Sequence, residues 1–167
     1  MIKSVFIRPI FKEDWKEIAS IYKQGMETGI ATFETELPSW KKWKKSHLID
    51  ISIAAQFNNK VIGFATLSPT SKRKAYKGVA EVSIYVGSEY SNRGVGKKLM
   101  EELISISEMH GFWTLQSAIF LENKASIYLH EKFGFRKIGF REKIGQRNGR
   151  WFDNILMERR SKNVNWE

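Results

Sequence analysis

The feature that most constrains how this chain can fold is a glycine-containing loop, Asn92-Arg93-Gly94-Val95-Gly96-Lys97, between a strand-like segment and a strongly amphipathic helix. A loop in this place presents the unpaired N–H groups of a helix N-terminus, which bind phosphate. Its two glycines let a pyrophosphate approach the backbone, and Arg93 and Lys97 add positive charge beside it. The same glycines also fit a simple tight turn. A third fingerprint glycine and a P-loop Gly-Lys-Ser/Thr are missing, which disfavours nicotinamide and nucleoside triphosphates.

The segments around this loop predict a single mixed α/β domain over residues 1–160, followed by a loose polar tail at 161–167. Hydrophobic patterns of period 3.6 predict helices, and patterns of period two predict strands. The predicted helices are 12–25, 40–48, 94–110 and 123–133. The predicted strands are 4–8, 51–57, 60–68, 79–86, 112–118, 135–144 and 150–158.

The charge balance is strongly positive, with 28 Lys and Arg against 18 Asp and Glu. Nucleic acid, a phosphorylated cofactor, an acidic substrate or a merely solubilising surface all fit this excess. The segment 40–45 is the only predicted helix in which clustered basic residues are interleaved with aromatic ones. Its two tryptophans fall three residues apart on one helix face, which more simply predicts core-facing rings above a rim of solvated lysines. We therefore expect no nucleic-acid partner.

The sequence contains no cysteine, which excludes disulfides, thiolate nucleophiles and cysteine-ligated zinc. No apolar run approaches the roughly 18 residues that cross a bilayer, and the first residues lead into a strand instead of a signal peptide. These features predict a soluble, cytoplasmic protein with no membrane contact.

Several motifs, in order along most of the chain, carry a resemblance to a known family. The strand at 82–86, the glycine loop, a helix that opens on Asn123-Lys124-Ala125 and the Gly134-Phe135 pair at its end resemble the GNAT superfamily of acetyl-CoA-dependent N-acetyltransferases. The segments 31–35, 125–127 and 149–151 are similar to its phosphinothricin and methionine sulfoximine acetyltransferase branch. The resemblance implies a twisted, mostly antiparallel seven-stranded sheet, splayed in the middle and flanked by about four helices.

The resemblance also implies that acetyl-CoA is the acetyl donor and that no metal takes part. The amide of Val86 would bind the thioester oxygen, and Asn123 would bind the pantetheine arm. Ser91 departs from the Gln or Arg that the superfamily usually carries at the head of the loop. The implied donor-binding residues are Ile84, Tyr85, Val86, Ser91, Asn92, Arg93, Gly94, Val95, Gly96, Lys97, Asn123 and Lys132.

Direct transfer of an acetyl group needs a base for the amine and a proton for the departing thiolate. By resemblance, Glu81 is the base, directly or through a water, and the alternative for it is an ion pair with a lysine such as Lys77. His130 is the implied general acid or proton relay near the sulfur. It lies two helical turns after Asn123, on the same helix face. The alternative for His130 is that it caps carbonyl groups near the helix end.

The implied acceptor is the primary amine of phosphinothricin, methionine sulfoximine or a similar amino acid. The basic loop 71–76 suits an acceptor with a carboxylate and a second acidic group, although it also fits a solvated charge run. The predicted acceptor-binding residues are Phe33, Thr35, Arg73, Lys74, Ala75, Tyr76, Glu81, Arg150 and Trp151. Arg150 and Trp151 would come from the partner subunit of a homodimer.

Two other functions stay open on the sequence. The first alternative keeps the fold and changes the acceptor to a polyamine, an aminoglycoside or a peptide N-terminus. The second is a non-catalytic module that binds CoA or nucleic acid. Gln146-Arg147-Asn148 differs from the Lys-Phe that the branch usually carries before Gly-Arg-Trp.

Overall fold

The computed structural model describes residues 4–165, and that part of the chain contains seven strands and four α-helices. The helices are α1 (Trp15–Glu27), α2 (Trp40–Ser46), α3 (Val95–Met109) and α4 (Lys124–Lys132). The strands are β1 (Phe6–Pro9), β2 (Ile53–Phe57), β3 (Lys60–Pro69), β4 (Val79–Val86), β5 (Thr114–Phe120), β6 (Arg136–Arg147) and β7 (Arg150–Arg160). The predicted mixed α/β fold is confirmed, with the element ends shifted by a few residues.

All seven strands form one sheet in the order β1-β2-β3-β4-β5-β7-β6. Every neighbouring pair is antiparallel except β4 and β5, which run parallel. The pairing of β3 with β4 extends over seven register positions, whereas that of β4 with β5 extends over three and ends where Glu81 lies opposite Gln116. The sheet therefore divides into two halves that part beyond Glu81.

Helices cover the first half of the sheet on both faces. On one face, α3 buries Leu99, Met100 and Leu103 completely, as its amphipathic pattern predicts. On the other face, α1 and α2 form a second core in which Ile18 and Trp43 are buried. The first half of the sheet, which ends at the gap between β4 and β5, thus lies between two well-packed cores.

The short helix α2 explains the basic cluster of the sequence. Ser39 caps its first turn by accepting a hydrogen bond from the backbone N–H of Lys42. The ring of Trp43 is 2% exposed and packs against Trp15 and Trp40, while the four lysines of the helix are exposed. The prediction of core-facing tryptophans under a lysine rim is confirmed.

Residues at the end of the chain are hydrogen-bonded to the rest of the protein. Ser161 is buried and its N–H donates to the carbonyl of Trp113, and the side chain of Asn163 donates to Glu108. The Arg160 guanidinium donates to the carbonyl of Val164. The predicted loose tail stays a prediction: these hydrogen bonds tie residues 161–165 to the rest of the chain, and 166 and 167 lie outside the described residues.

Residues 4–165 contain neither a helix that could span a membrane nor a cluster of side chains that could hold a metal ion. None of the helices there is long and apolar enough to cross a membrane. The same residues contain no group of three or more His, Cys, Asp or Glu side chains placed to hold a metal ion.

Candidate active site

The gap between β4 and β5 leaves one edge of the β4 main chain unpaired. The N–H of Gly87 donates to the carbonyl of Ile62 over 2.9 Å, which continues the register of β3 with β4. Because hydrogen-bonded and non-bonded pairs alternate along an antiparallel ladder, the main-chain groups of Val82, Ile84 and Val86 point away from β3. The N–H of Val86 is thereby available to a ligand lying between the two halves of the sheet.

The glycine loop ends in a helix N-terminus with free donors. Gly94 precedes α3 at φ +87°, in the left-handed region that only glycine adopts at little cost. The first bond of the helix runs from the N–H of Lys98 to the carbonyl of Gly94. The N–H groups of Val95, Gly96 and Lys97 have no partner within residues 4–165, so this helix end can bind an anion.

The glycine loop packs against the end of α4. A Cβ added to Gly96 would lie 3.4 Å from the side chain of Leu129 and 3.8 Å from that of Val86. On the outer side, the ammonium groups of Lys97 and Lys132 are neighbours, and the presence of Lys132 lowers the pKa of the exposed Lys97. The structure therefore brings together four residues that the sequence predicts as donor-binding, namely Val86, Gly96, Lys97 and Lys132.

Glu81 stands where the two halves of the sheet part. Its neighbours Ala80 and Val82 are buried on the α3 face, so its own side chain projects from the opposite face. The carboxyl reaches solvent, yet the protein atoms around it disfavour its charged form and raise its pKa, which the positive charge of Arg141 partly counteracts. Among the described residues no cation lies within ion-pair distance of Glu81, so the alternative of a pair with Lys77 is not observed.

His130 is buried in the last turns of α4. Its Nδ1 lies 2.8 Å from the carbonyl oxygen of Ser126, and its ring meets Phe135 edge-on. Since a carbonyl only accepts, Nδ1 carries the proton and Nε2 carries a lone pair, and Nε2 is buried with no partner within the described part of the chain. Burial lowers the pKa of the ring, with the Ser126 bond acting against it, so the neutral form is favoured. The carbonyl contact proposed as the alternative is thus present at Nδ1, and Nε2 stays available.

The side chain of Asn123 makes two hydrogen bonds within the protein that the sequence motif did not predict. Its side-chain oxygen accepts the N–H of Ser126 over 3.1 Å and so caps α4. Its side-chain nitrogen donates to the carbonyl of Ile30 over 3.4 Å. Asn123 therefore ties the start of α4 to the loop after α1, and its contact with a pantetheine arm stays a prediction.

A cavity of ≈ 440 Å³ lies on the Glu81 face of β4, beneath α1 and α2. We call it the aromatic cavity, and it is lined by Tyr22, Thr32, Glu34, Pro38, Lys42, Trp43, Ser46, His47, Phe64, Ser83 and Tyr85. Burial raises the pKa of both tyrosine hydroxyls, and the hydroxyl of Tyr85 lies 3.4 Å from the carbonyl of Ala31. Both tyrosines are therefore protonated donors near neutral pH.

The residues predicted to bind the acceptor do not line this cavity. Phe33 packs on Phe120 and against Gly145, whereas its neighbours in sequence line the cavity, and Thr35 is exposed. Arg73, Lys74, Ala75 and Tyr76 form an exposed turn between β3 and β4, with the Arg73 guanidinium 5.9 Å from the Tyr76 ring. Arg150 pairs with Glu122, and Trp151 is 55% exposed. The predicted contact of these residues with an acceptor stays a prediction.

Comparison with known proteins decides the family. The model of the acetyltransferase (GNAT) family matches residues 9–135. The chain belongs to the GNAT acetyltransferase family. This GNAT protein is 30% identical over 163 residues to the phosphinothricin N-acetyltransferase of Streptomyces coelicolor, covering 93% of this chain and 95% of that protein. It is 32% identical over 108 residues to the L-methionine sulfoximine/L-methionine sulfone acetyltransferase of Pseudomonas aeruginosa, covering 65% of this chain and 63% of the relative.

A solved structure extends the likeness to the whole fold. The phosphinothricin acetyltransferase of Sinorhizobium meliloti, solved in complex with AcCoA, superimposes with a TM-score of 0.88 at 28% identity, over 98% of this chain and 91% of that one. The GNAT protein is thus an N-acetyltransferase of the phosphinothricin and methionine sulfoximine acetyltransferase branch, as its motifs predict.

Three contacts of the site were not foreseen from the sequence of this GNAT protein. The positive charge of Arg141 acts on the carboxyl of Glu81. The side chain of Arg147 donates a hydrogen bond to the main chain at the end of α1. The rings of Tyr22 and Tyr85 meet with their centroids 5.1 Å apart. Each joins elements far apart in sequence, so no local spacing signals it. For Arg147 the sequence gives one indication, which is that residues 146–148 differ from the Lys-Phe that this branch usually carries before Gly-Arg-Trp.

Proposed function

We propose that this protein transfers an acetyl group from acetyl-CoA to the primary amine of a small amino-acid-like acceptor, with phosphinothricin and methionine sulfoximine as the first candidates. The observation that carries the proposal is the position of Glu81, at the point where β4 leaves β5 and on the same strand face as Ser83, which lines the aromatic cavity. The named activities of the relatives in Streptomyces coelicolor and Pseudomonas aeruginosa support the acceptor class.

The residues around the gap fit acetyl-CoA. The free N–H groups of Val95, Gly96 and Lys97 suit its pyrophosphate, with the ammonium groups of Lys97 and Lys132 beside them. The unpaired edge of β4 suits an extended amide-bearing arm, because its main-chain groups alternate as donors and acceptors. We assign the N–H of Val86 to the thioester oxygen, where it would stabilise developing negative charge.

The donor supplies a thioester carbonyl carbon and a sulfur that leaves with the electrons of the C–S bond. Glu81 takes the proton that the amine nitrogen loses as its new bond to that carbon forms. Its raised pKa suits a general base, since such a carboxylate binds a proton more readily than an ordinary one. His130 offers a lone pair at Nε2, so we assign it as a relay that takes up the proton held by Glu81, by way of solvent, and passes it to the departing sulfur. Glu81 and His130 thereby return to their starting forms.

A thiol-release assay tests this function. Purified protein with acetyl-CoA should release free CoA with phosphinothricin or methionine sulfone, and mass spectrometry should show an acetylated product. The Glu81→Gln variant should lose about 10²- to 10⁴-fold in kcat while still binding acetyl-CoA by calorimetry. Release of CoA with polyamines or peptides alone would overturn the acceptor class, and a full rate in Glu81→Gln would overturn the assignment of the base.

We also propose that the protein is a homodimer joined through the β6–β7 hairpin. β6 is the outer strand of the sheet, and the hairpin exposes four apolar side chains, namely Ile138, Phe140, Ile144 and Trp151. Exposed apolar side chains grouped at a sheet edge favour association. Light scattering should give twice the mass of one chain. Phe140→Glu should reduce the measured mass to that of one chain. Met109→Glu is the control, because Met109 is also an exposed apolar residue but lies at the end of α3, and it should leave the mass unchanged. A cytoplasmic location stays a prediction from the cysteine-free sequence.

A further inference from the structure

The proposed donor site has two ends, which a short stretch of chain joins. At one end is the N–H of Val86, assigned to the thioester oxygen. At the other end is the start of α3, where the free N–H groups begin at Val95 and suit the pyrophosphate. Residues 87–94 lie between them, and we call this stretch the connecting segment. One extended donor can bind both ends at once only if the connecting segment keeps them at the right spacing.

The connecting segment is held by a few hydrogen bonds near its beginning. The N–H of Gly87 donates to the carbonyl of Ile62 over 2.9 Å, and the N–H of Tyr90 donates back to the carbonyl of Gly87 over 2.8 Å. The N–H of Ser88 instead donates to the side-chain oxygen Oε1 of Gln24 over 2.9 Å. Within residues 4–165, this is the one hydrogen bond that a side chain makes with the main chain of the connecting segment.

Helix α1, which carries Gln24 in its last turn, is packed closely on β4 and on the connecting segment. A Cβ added to Gly25 would approach the ring of Tyr85 to 2.6 Å, so the helix backbone lies directly against that ring. A Cβ added to Gly87 would lie 3.8 Å from the side chain of Ile21, which is one turn before Gln24. The half-buried carboxamide of Gln24 therefore extends from a fixed helix to the connecting segment.

We propose that Gln24 is a positioning residue for the donor. By holding Ser88, it sets the spacing between the N–H of Val86 and the start of α3, so that acetyl-CoA binds both ends at once. This inference rests on the proposed function, from which it takes the two donor contacts. An N–H of Ser88 that loses this acceptor turns to water, and the connecting segment then has more conformations to lose when a donor binds. The effect of Gln24 should therefore appear only with a ligand that spans both ends.

Calorimetry with two ligands tests this role. Gln24→Met keeps the length and helix propensity of the side chain and removes its oxygen. It should weaken acetyl-CoA binding about three- to tenfold, as expected for loss of one hydrogen bond. Adenosine 3′-phosphate 5′-diphosphate, which has the phosphates of the donor and no pantetheine arm, should bind within about twofold of its affinity for the unmodified protein. Gln24→Glu retains an oxygen for the N–H of Ser88 and should restore acetyl-CoA binding.

Two further variants control for a change in the helix itself. Gln24→Ala also lacks the oxygen and should show the same difference between the two ligands. Ser20→Ala changes an exposed polar side chain one turn earlier on α1 and should leave both affinities unchanged. Unchanged acetyl-CoA binding in Gln24→Met and Gln24→Ala, or equal losses for the two ligands, would overturn the positioning role. Neither measurement uses an amine, so these outcomes are separate from a failure to acetylate amino acids.

Discussion

The guanidinium of Arg147 donates to the main-chain oxygen of Met26 over 2.7 Å and so ties the tip of the β6–β7 hairpin to the C-terminal end of α1. A positive charge is favourable there, because the helix dipole makes that end negative. Close by, the backbone at Gly145 lies directly on the Phe33 ring, which a Cβ on that glycine would approach to 2.5 Å. The hairpin thus holds the loop from which Glu34 enters the aromatic cavity.

We therefore predict that Arg147→Gln loosens the acceptor side of the site and spares the donor side. The KM for the amine should rise about three- to tenfold, while the KM for acetyl-CoA should change less than about twofold. The melting temperature should fall by about 2–6 °C, as expected for loss of one charge-assisted hydrogen bond. Lys137→Gln is the control, because it removes an exposed ion pair of the same strand and should change neither KM. A rise confined to the KM for acetyl-CoA would contradict this role.

The pH profile should report Glu81. The carboxylate form is the active one, so the rate should fall as the pH drops through a pKa that burial has raised above the ordinary value. Arg141→Gln removes the charge that partly lowers this pKa, so the acid limb of kcat/KM should move to higher pH. Arg136→Gln, on the same strand and paired with Glu158, should leave the limb in place. A limb that moves to lower pH, or does not move, in Arg141→Gln would exclude Glu81 as the titrating group.

Much of this arrangement follows from sequence patterns that act locally. Helix α3 could be predicted because Val95, Leu99 and Leu103 recur on one face, and all three are buried. The glycine loop could be predicted because two glycines stand at the start of that helix, and Gly94 has φ +87° in the structure. Such features depend on a few neighbouring residues, so their spacing is visible in the chain itself.

The acceptor side could not be predicted in the same way. The segment 30–36 has no strand partner to fix which side chains turn inward. The contact of Phe33 with an acceptor stays a prediction; in the structure Thr32 and Glu34 line the aromatic cavity, and Phe33 packs on Phe120. The loop is positioned by contacts such as that of Arg147, more than 100 residues away. The parting of β4 from β5 at Glu81 depends on the pairing of distant strands, so the family resemblance predicts a splayed sheet but no local spacing does.

The glycine before α3 should matter for donor binding beyond its effect on stability. Gly94→Ala forces a side chain into the left-handed region at φ +87° and should cost about 1–2 kcal/mol of unfolding free energy. It should also raise the KM for acetyl-CoA about tenfold, because the free N–H groups of Val95 and Gly96 shift. Gly111→Ala is the matched control, because Gly111 has φ +79° and a Cβ added to it would meet no atom within 4 Å. This variant should lose a similar free energy of unfolding and keep the KM for acetyl-CoA unchanged. Equal KM values for acetyl-CoA in the two variants would show that the glycine loop does not take part in donor binding.

The paired ammonium groups of Lys97 and Lys132 should bind a phosphate of the donor. The neighbouring charge of Lys132 lowers the pKa of Lys97, because two ammonium groups repel each other. An anion between them would relieve that repulsion, so each lysine should add to affinity without adding to stability. Lys97→Gln and Lys132→Gln should weaken acetyl-CoA binding several-fold in calorimetry at low salt, and the loss should shrink at high salt because the charges are exposed. Lys98→Gln, whose ammonium reaches toward the carbonyl of Val5, should bind the donor normally. Equal losses in all three variants, or a loss that salt does not change, would show that the pair makes no specific phosphate contact.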